Sequence, residues 1–404
     1  MKTFTPTDEA LTLLAGPQDF SAVVGGPLFR LLKWARLSDD ALLLVRQRVI
    51  VISLVAWLPL LVLATFGGQL LSGGVAIPFL LDFEAHSRFL IAMPLLIIAE
   101  LVVHRRVPPL VQQFRARNLI PEDAVSQFNA AIVSAIRLRD SVLVEILLIA
   151  FVYAVGVLVV WREYVAVDTT TWYATPIDDG IKLSPAGVWY SYISLPIFQF
   201  LLLRWYFRLF VWARFLWQVS RIELCLVPTH PDRVGGLGFL GGTVVAFTVL
   251  ATAHGALVSG HLANRIFFAG GALPDFKIEI AGVVILVLFA MLGPLTVFAL
   301  QLDATKRKGL REYGILAERY VRGFDAKWMR GNAPTDEALV GSADIQSLAD
   351  LGSGYEVVRT MRNAPITMEG VVRLVVAVLL PISPLLLTMM SVEELANKLF
   401  SVLL

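Results

Sequence analysis

The chain has 404 residues, of which 57% are hydrophobic and 16% charged, and its formal net charge is +2. Soluble domains carry about a quarter charged residues, so this composition excludes an ordinary water-soluble domain, and the near-neutral balance excludes the basic footprint of a nucleic-acid binder. Cys225 is the single cysteine, which excludes an internal disulfide and any CxxC zinc or redox motif.

In chain order, MKTFTPTDEALTLLAG lacks the basic start and apolar core of a cleaved signal peptide, so insertion is expected to rely on internal spans. Residues 23–40 follow, where Leu28, Leu31, Leu32 and Ala35 share a helical face against Arg30, Lys33 and Arg36. That pattern fits an interfacial helix or a helix capping the bundle. A bilayer core needs roughly 20 mostly apolar residues in a helix. Seven runs approach that length: 49–70, 88–103, 141–161, 188–208, 242–263, 279–301 and 370–390. The second is short, and Ile77 to Leu81 either extends it or lies in the interface. Between the third and fourth, TTTWYATPIDDG forms an outer loop whose Asp178, Asp179 and Gly180 read as a turn, or as a contact for a cation.

The fold class expected is therefore all-α, a polytopic bundle of about seven spans. Pro381 and Pro384 allow the last run to be a re-entrant hairpin instead, leaving six. Residues 1–46 form an amino-terminal cytoplasmic or interfacial piece, 47–302 a six-helix bundle and 303–369 a small cytoplasmic helical region; 370–404 hold a final span and an amphipathic helix. With the amino terminus cytoplasmic, about 28 of the 34 lysines and arginines fall on the cytoplasmic side, as the positive-inside rule asks. In the 303–369 region, Leu310, Tyr313, Leu316, Tyr320 and Phe324 make a helical stripe that needs a partner. The bundle, another subunit or partner protein, or GSADIQSLADLGSGYEVVRTMR could supply it; that stretch reads as two short helices broken at Gly352 and Gly354.

Ionisable groups within spans are costly and need partners or water, so they mark candidate sites. Glu100 and His104 lie one helical turn apart near the cytoplasmic end of the second span, and Arg204 and Arg208 repeat that spacing in the fourth. Glu145 starts the third span at similar depth. The group reads as the vestibule or gate of a path for a small ion, or as a structural clamp among helices. His254 lies mid-span, with Thr248, Thr252, Ser259 and His261 around it. Seven residues, roughly 10 Å, separate the two histidines, too far to share a metal without a distant third ligand. His254 suits a proton relay or pore lining, or else an interhelical hydrogen bond. Prolines 59, 94, 196, 294, 381 and 384 interrupt five of the spans and free backbone carbonyls.

VPTHPDRVGGLGFLGG at 227–242 turns the chain into the fifth span: Pro228 and Pro231 stop a helix, and Gly235, Gly236 and Gly238 permit unusual dihedrals. His230, Asp232 and Arg233 stand there as a charged trio that could hold an anion or move a proton. Its spacing matches neither a Walker loop nor a dinucleotide fingerprint. PTHPDRVGGLGFL, PIFQFLLLRW at 196–205 and GSADIQSLADLG at 341–352 resemble a group of uncharacterised bacterial multi-pass inner-membrane proteins, over most of the chain. The resemblance implies a bacterial inner-membrane setting and assigns no catalytic residue, metal or cofactor. Three functions stay open: a channel or transporter for a small ion, a scaffold or accessory subunit docking a partner through 303–369, or a membrane enzyme built on His230, Asp232 and Arg233, which lacks a nucleophile. A homo-oligomer is compatible with the short loops.

Overall fold

The computed structural model describes residues 25, 27, 44–71, 74–155, 170–177, 180–331, 333–334 and 337–389. Most of the expected helix at 23–40, Asp178 and Asp179, the third expected span beyond residue 155 and the carboxyl-terminal helix beyond residue 389 lie outside the described residues.

The described residues form an all-α bundle carrying one short β-hairpin. In chain order they give α1 (Val45–Phe66), a tight turn at Phe79–Leu81, α2 (Phe83–Ala116), α3 (Val125–Arg139) and α4 (Val142–Val155). Next come β1 (Ala174–Ile177) and β2 (Gly180–Leu183), paired antiparallel with Ile177 opposite Gly180. The outer-loop turn expected at TTTWYATPIDDG is thus a hairpin. α5 (Pro185–Val219), α6 (Leu237–Ala269), α7 (Leu273–Met329), α8 (Ala343–Arg359) and α9 (Met368–Leu379) complete the order.

Among the described residues five helices, α1, α2, α5, α6 and α7, are long and apolar enough to cross a membrane. A sixth crossing among them arises if α9 and the turn Ser383–Met389, bent by 57°, are one span. Against the seven runs expected, α4 is the shortfall: its described part is a shorter apolar helix. The inner end of the bundle is taken here as the end where α1 starts and α2 and α5 finish. α2 and α5 have 34 and 35 residues, roughly 50 Å at 1.5 Å per residue, against about 30 Å of hydrocarbon. Both outrun a bilayer, so the second span is not short, as its apolar run suggested. It continues through Pro108 and Pro109 into the basic stretch at the inner end.

Proline placement explains the local geometry. Pro94 and Pro196 each follow a widened turn, at Ser87–Ala92 in α2 and at Tyr190–Ser194 in α5. A proline offers no amide to the preceding turn, and the looser i→i+5 pattern just before it absorbs the missing bond without breaking the helix. Pro294 does the same in α7 through a tight 3-10 step at Gly293–Phe298.

α6 is the centre of the bundle. Its apolar window is 61% buried, against 17% for α1 at the rim. Small residues let neighbours approach it: a Cβ on Gly255 would stand 2.1 Å from the Val378 carbonyl oxygen of α9, and one on Gly260 would stand 2.9 Å from the Phe83 carbonyl oxygen of α2. Close backbone approach of this kind replaces the hydrophobic drive that lipid cannot provide. Ser259 Oγ donates to the Pro381 carbonyl at 2.7 Å, and Trp205 Nε1 on α5 donates to the Leu96 carbonyl on α2 at 2.9 Å. Replacing Gly255 by alanine should separate α6 from α9 and lower stability by about 2 kcal/mol, as overpacking does. A thermal midpoint in detergent unchanged from wild type would contradict that contact.

Beyond the inner end, α7 continues without a linker and α8 folds back against it. Tyr320 Oη donates to the Asp344 carbonyl at 3.0 Å, and Lys327 joins Asp344 at 2.7 Å and Glu337 at 2.6 Å. The expected break at Gly352 and Gly354 is absent, because α8 is one helix through both glycines. A Cβ at either would meet nothing within 4 Å, so both lie on the open side while the opposite face of α8 packs on α7 and holds the helix together. Of the expected stripe, Tyr313, Tyr320 and Phe324 are partly buried, but Leu316 is 49% exposed and Ile315 beside it 53%.

Candidate functional site

Four helices bring the intramembrane charges to one point. α1 supplies Arg48, α2 Glu100, α4 Glu145, and α5 both Arg204 and Arg208, one turn apart on a single face. Glu100 is the hub. Its Oε1 accepts from Arg208 Nη1 at 2.6 Å and lies 3.5 Å from Arg204 Nη1, while Oε2 lies 2.6 Å from Arg48 Nη2. Arg204 Nη2 reaches Glu145 Oε1 at 3.3 Å and the Gly25 carbonyl at 3.5 Å. All five residues are buried, none more than 7% exposed. The Arg208 guanidinium also stacks on the Trp205 ring at 4.9 Å, a contact suited to a planar cation.

The grouping of Glu100, Glu145, Arg204 and Arg208 agrees with their expected common depth. Arg48 was not in that group: it stands one residue before the apolar run and reads as a loop cation. His104 is partly buried one turn beyond Glu100. The ion pairs cross four helices, and all five of the paired residues are buried.

Both ring nitrogens of His254 are hydrogen-bonded. Its Nδ1 donates to the Leu250 carbonyl, which can only accept, at 2.8 Å, and its Nε2 lies 2.8 Å from Tyr206 Oη. The pair ties α6 to α5. His261 lies well apart, at the outer end beside Glu84, so the two histidines do not converge. Among the described residues no group of three or more His, Cys, Asp or Glu side chains is arranged to hold a metal ion.

The loop after α5 is a knot built around one carboxylate. Asp232 Oδ1 accepts from the amides of Val234 at 2.9 Å and Gly236 at 3.2 Å, and Oδ2 from Gly238 at 2.8 Å. His230 Nδ1 lies 2.9 Å from Oδ1. Partial burial opposes the charge on Asp232, but the three amides and His230 outweigh it and hold the carboxyl below its ordinary value. The chain reaches this shape through positive φ at Arg233 (58°), Gly235 (65°) and Gly236 (103°). A side chain at Gly238 would strike Asp232, its Cβ falling 2.9 Å from Asp232 Cβ.

Neighbouring elements then lock the knot. Arg362 donates through Nη2 to the Asp232 carbonyl at 3.0 Å and through its amide to the Arg233 carbonyl at 2.8 Å. Cys225 N donates to the Leu119 carbonyl at 2.9 Å, and Gly309 of α7 lies against Pro228, its built Cβ only 2.6 Å away. Three of the loop's amides are therefore spent on Asp232 and cannot cradle an anion. Arg233 is exposed.

The outer end carries a second polar cluster that span-by-span reading passes over. Asp82 is buried; its Oδ1 accepts from the Ala85 amide at 3.0 Å and from Asn264 Nδ2 at 2.8 Å, and its Oδ2 from Trp172 Nε1 at 2.8 Å. Glu84 pairs with Arg88, which also donates to Tyr190 Oη, and His261 Nδ1 lies 3.3 Å from Glu84. Glu84, Arg88, His261 and Glu279 line a cavity of about 310 Å³ there. The i,i+4 spacing of Glu84 and Arg88 was a readable signal; its convergence with His261 is tertiary. No family model, curated protein or solved structure matches the chain, so the reading of its function rests on this geometry.

Proposed function

We propose that the chain is a multi-pass membrane scaffold or accessory subunit that docks a partner protein through the helical hairpin of α7 and α8. The observation that carries this reading is the Glu100 hub, where buried charges are paired with one another across four helices. Such a centre ties the four helices to one another. The hairpin supports the second half of the reading: Ile315, Leu316, Val321 and Ile345 are exposed on a piece that stands clear of the apolar spans, and exposed apolar side chains grouped on one projection mark a contact surface. The basic loops favour the inner end as cytoplasmic, and the resemblance of the PTHPDRVGGLGFL segment favours a bacterial inner membrane.

A second reading, transport of a small ion, is favoured by the outer cavity with Glu84, Arg88, His261 and Glu279 in its wall. Reconstitution separates the two. Proteoliposomes of the purified chain are expected to leak potassium, sodium, chloride and protons no faster than empty vesicles, while a photocrosslinker at Ile315 or Leu316 gives a discrete adduct in native membranes. Flux well above empty vesicles, lost on replacing Glu84, would overturn the scaffold reading in favour of transport.

A further inference from the structure

α1, α2 and α5 enclose a second cavity, of about 240 Å³, next to the Glu100 hub. Its lining is sorted by polarity along the bundle axis. Arg48, Glu100 and Arg204 form the inner end, and Val55, Ile97 and Ile197 the outer end. Arg48 and Val55 are seven residues apart on α1, as are Arg204 and Ile197 on α5, so roughly 10 Å separates the two ends on each helix. The cavity faces outward between α1 and α5, where Val51 and Val55 in its wall are 38% and 45% exposed.

Among the described residues the inner end also carries unbalanced charge. Among the described residues, three guanidiniums, those of Arg48, Arg204 and Arg208, meet two carboxylates, Glu100 and Glu145. The nearby Arg139 and Asp140 pair with each other and add nothing net. Arg48 is only 2% exposed, and although its Nη2 meets Glu100, its Nε is buried with no hydrogen-bond partner. A buried N–H without a partner, beside an apolar slot, leaves a place for an additional acceptor.

We propose that this cavity holds an acyl chain of an anionic amphiphile from the inner-end leaflet, with its head at Arg48 and Arg204 and its tail along Val55, Ile97 and Ile197. One anionic head would bring the cluster to three charges of each sign. An acyl chain suits the apolar walls, and entry from the leaflet suits the exposure of Val51 and Val55. The site stands apart from the docking role of the hairpin, and neither depends on the other.

The test uses the full chain in phosphatidylcholine vesicles containing a trace of one probe with a diazirine on its acyl chain: phosphatidylglycerol, palmitate or phosphatidylcholine. Photolabelling of residues 51–55 and 197–201 should be about tenfold stronger with an anionic probe than with phosphatidylcholine, equivalent to about 1.4 kcal/mol. Strong labelling by phosphatidylglycerol would assign the head to a phospholipid, and by palmitate alone to a free fatty acid. Ile197→Trp fills the slot without touching a charge and should cut labelling about tenfold; Arg48→Gln should erase the preference for an anionic head. Equal labelling by all three probes, labelling confined to other helices, or a folded Ile197→Trp protein that labels like wild type would each overturn the proposal.

Discussion

Glu100→Ala protein is expected to be lost from the membrane fraction as folded material. The substitution strands the buried Arg48, Arg204 and Arg208 guanidiniums, with Glu145 left to meet Arg204. Breaking a buried ion pair from one side costs about 3–5 kcal/mol, a large part of the roughly 5–15 kcal/mol that holds an ordinary domain together. The loss falls on one side because the arginines remain and keep their full desolvation penalty. Size-exclusion profiles after mild detergent extraction, with thermal midpoints where protein survives, measure it. Arg208→Lys keeps a charge at the site while losing the stacking on Trp205, so its loss should be smaller. A Glu100→Ala protein that melts with the wild type would mean that the hub does not join these helices.

Asp232→Ala should be the most damaging change outside the spans. It removes the acceptor for three amides and the partner of His230, in a loop whose positive φ values leave those amides few alternatives. Unsatisfied, partly buried donors cost about 1–3 kcal/mol each when water cannot reach them; partial access here brings the expected total to about 3 kcal/mol. The same carboxylate makes stability depend on pH. Its folded-state pKa lies below the unfolded value, with burial opposing and the amides and His230 prevailing. The stabilisation is therefore complete above the unfolded value near 3.9, and it fades as pH falls through the lower folded value. Asp232→Asn should be less stable than wild type at neutral pH, and the gap between them should narrow in acid. Parallel melts at neutral and acid pH read this directly, and a gap that widens in acid would assign the pH response to other groups.

The spans were legible because lipid imposes a length and polarity that the residues must meet one by one; α1, α2, α5, α6 and α7 all coincide with runs of apolar residues. Helix ends were not. α2 and α5 run on past their apolar stretches because Phe114, Phe128 and Phe215 bury against one another beyond the inner end, and hydropathy is silent about helices packed on other helices. Depth alone grouped Glu100, Glu145, Arg204 and Arg208, since charges at one level of a bundle must find one another. It missed Arg48, whose place at the edge of an apolar run looks the same as that of any solvated flanking cation. The motif at 227–242 announced a turn through its prolines and glycines. That Asp232 would gather three amides depended on left-handed residues at Arg233, Gly235 and Gly236, which glycine permits and does not dictate. α8 was misread because glycine disfavours a helix by about 1 kcal/mol, a local preference that packing against α7 overrides.

The unbroken passage of α7 from the spans into the hairpin sets the geometry of any assembly formed there. From Gly309, pinned at Pro228, the helix runs regularly to Phe324 and ends in a widened turn at Asp325–Met329, about 30 Å in all at 1.5 Å per residue. A protein seated on the tip would stand at a fixed height and compass bearing above the lipid surface, posted like a bracket on a wall instead of tethered like a float on a line.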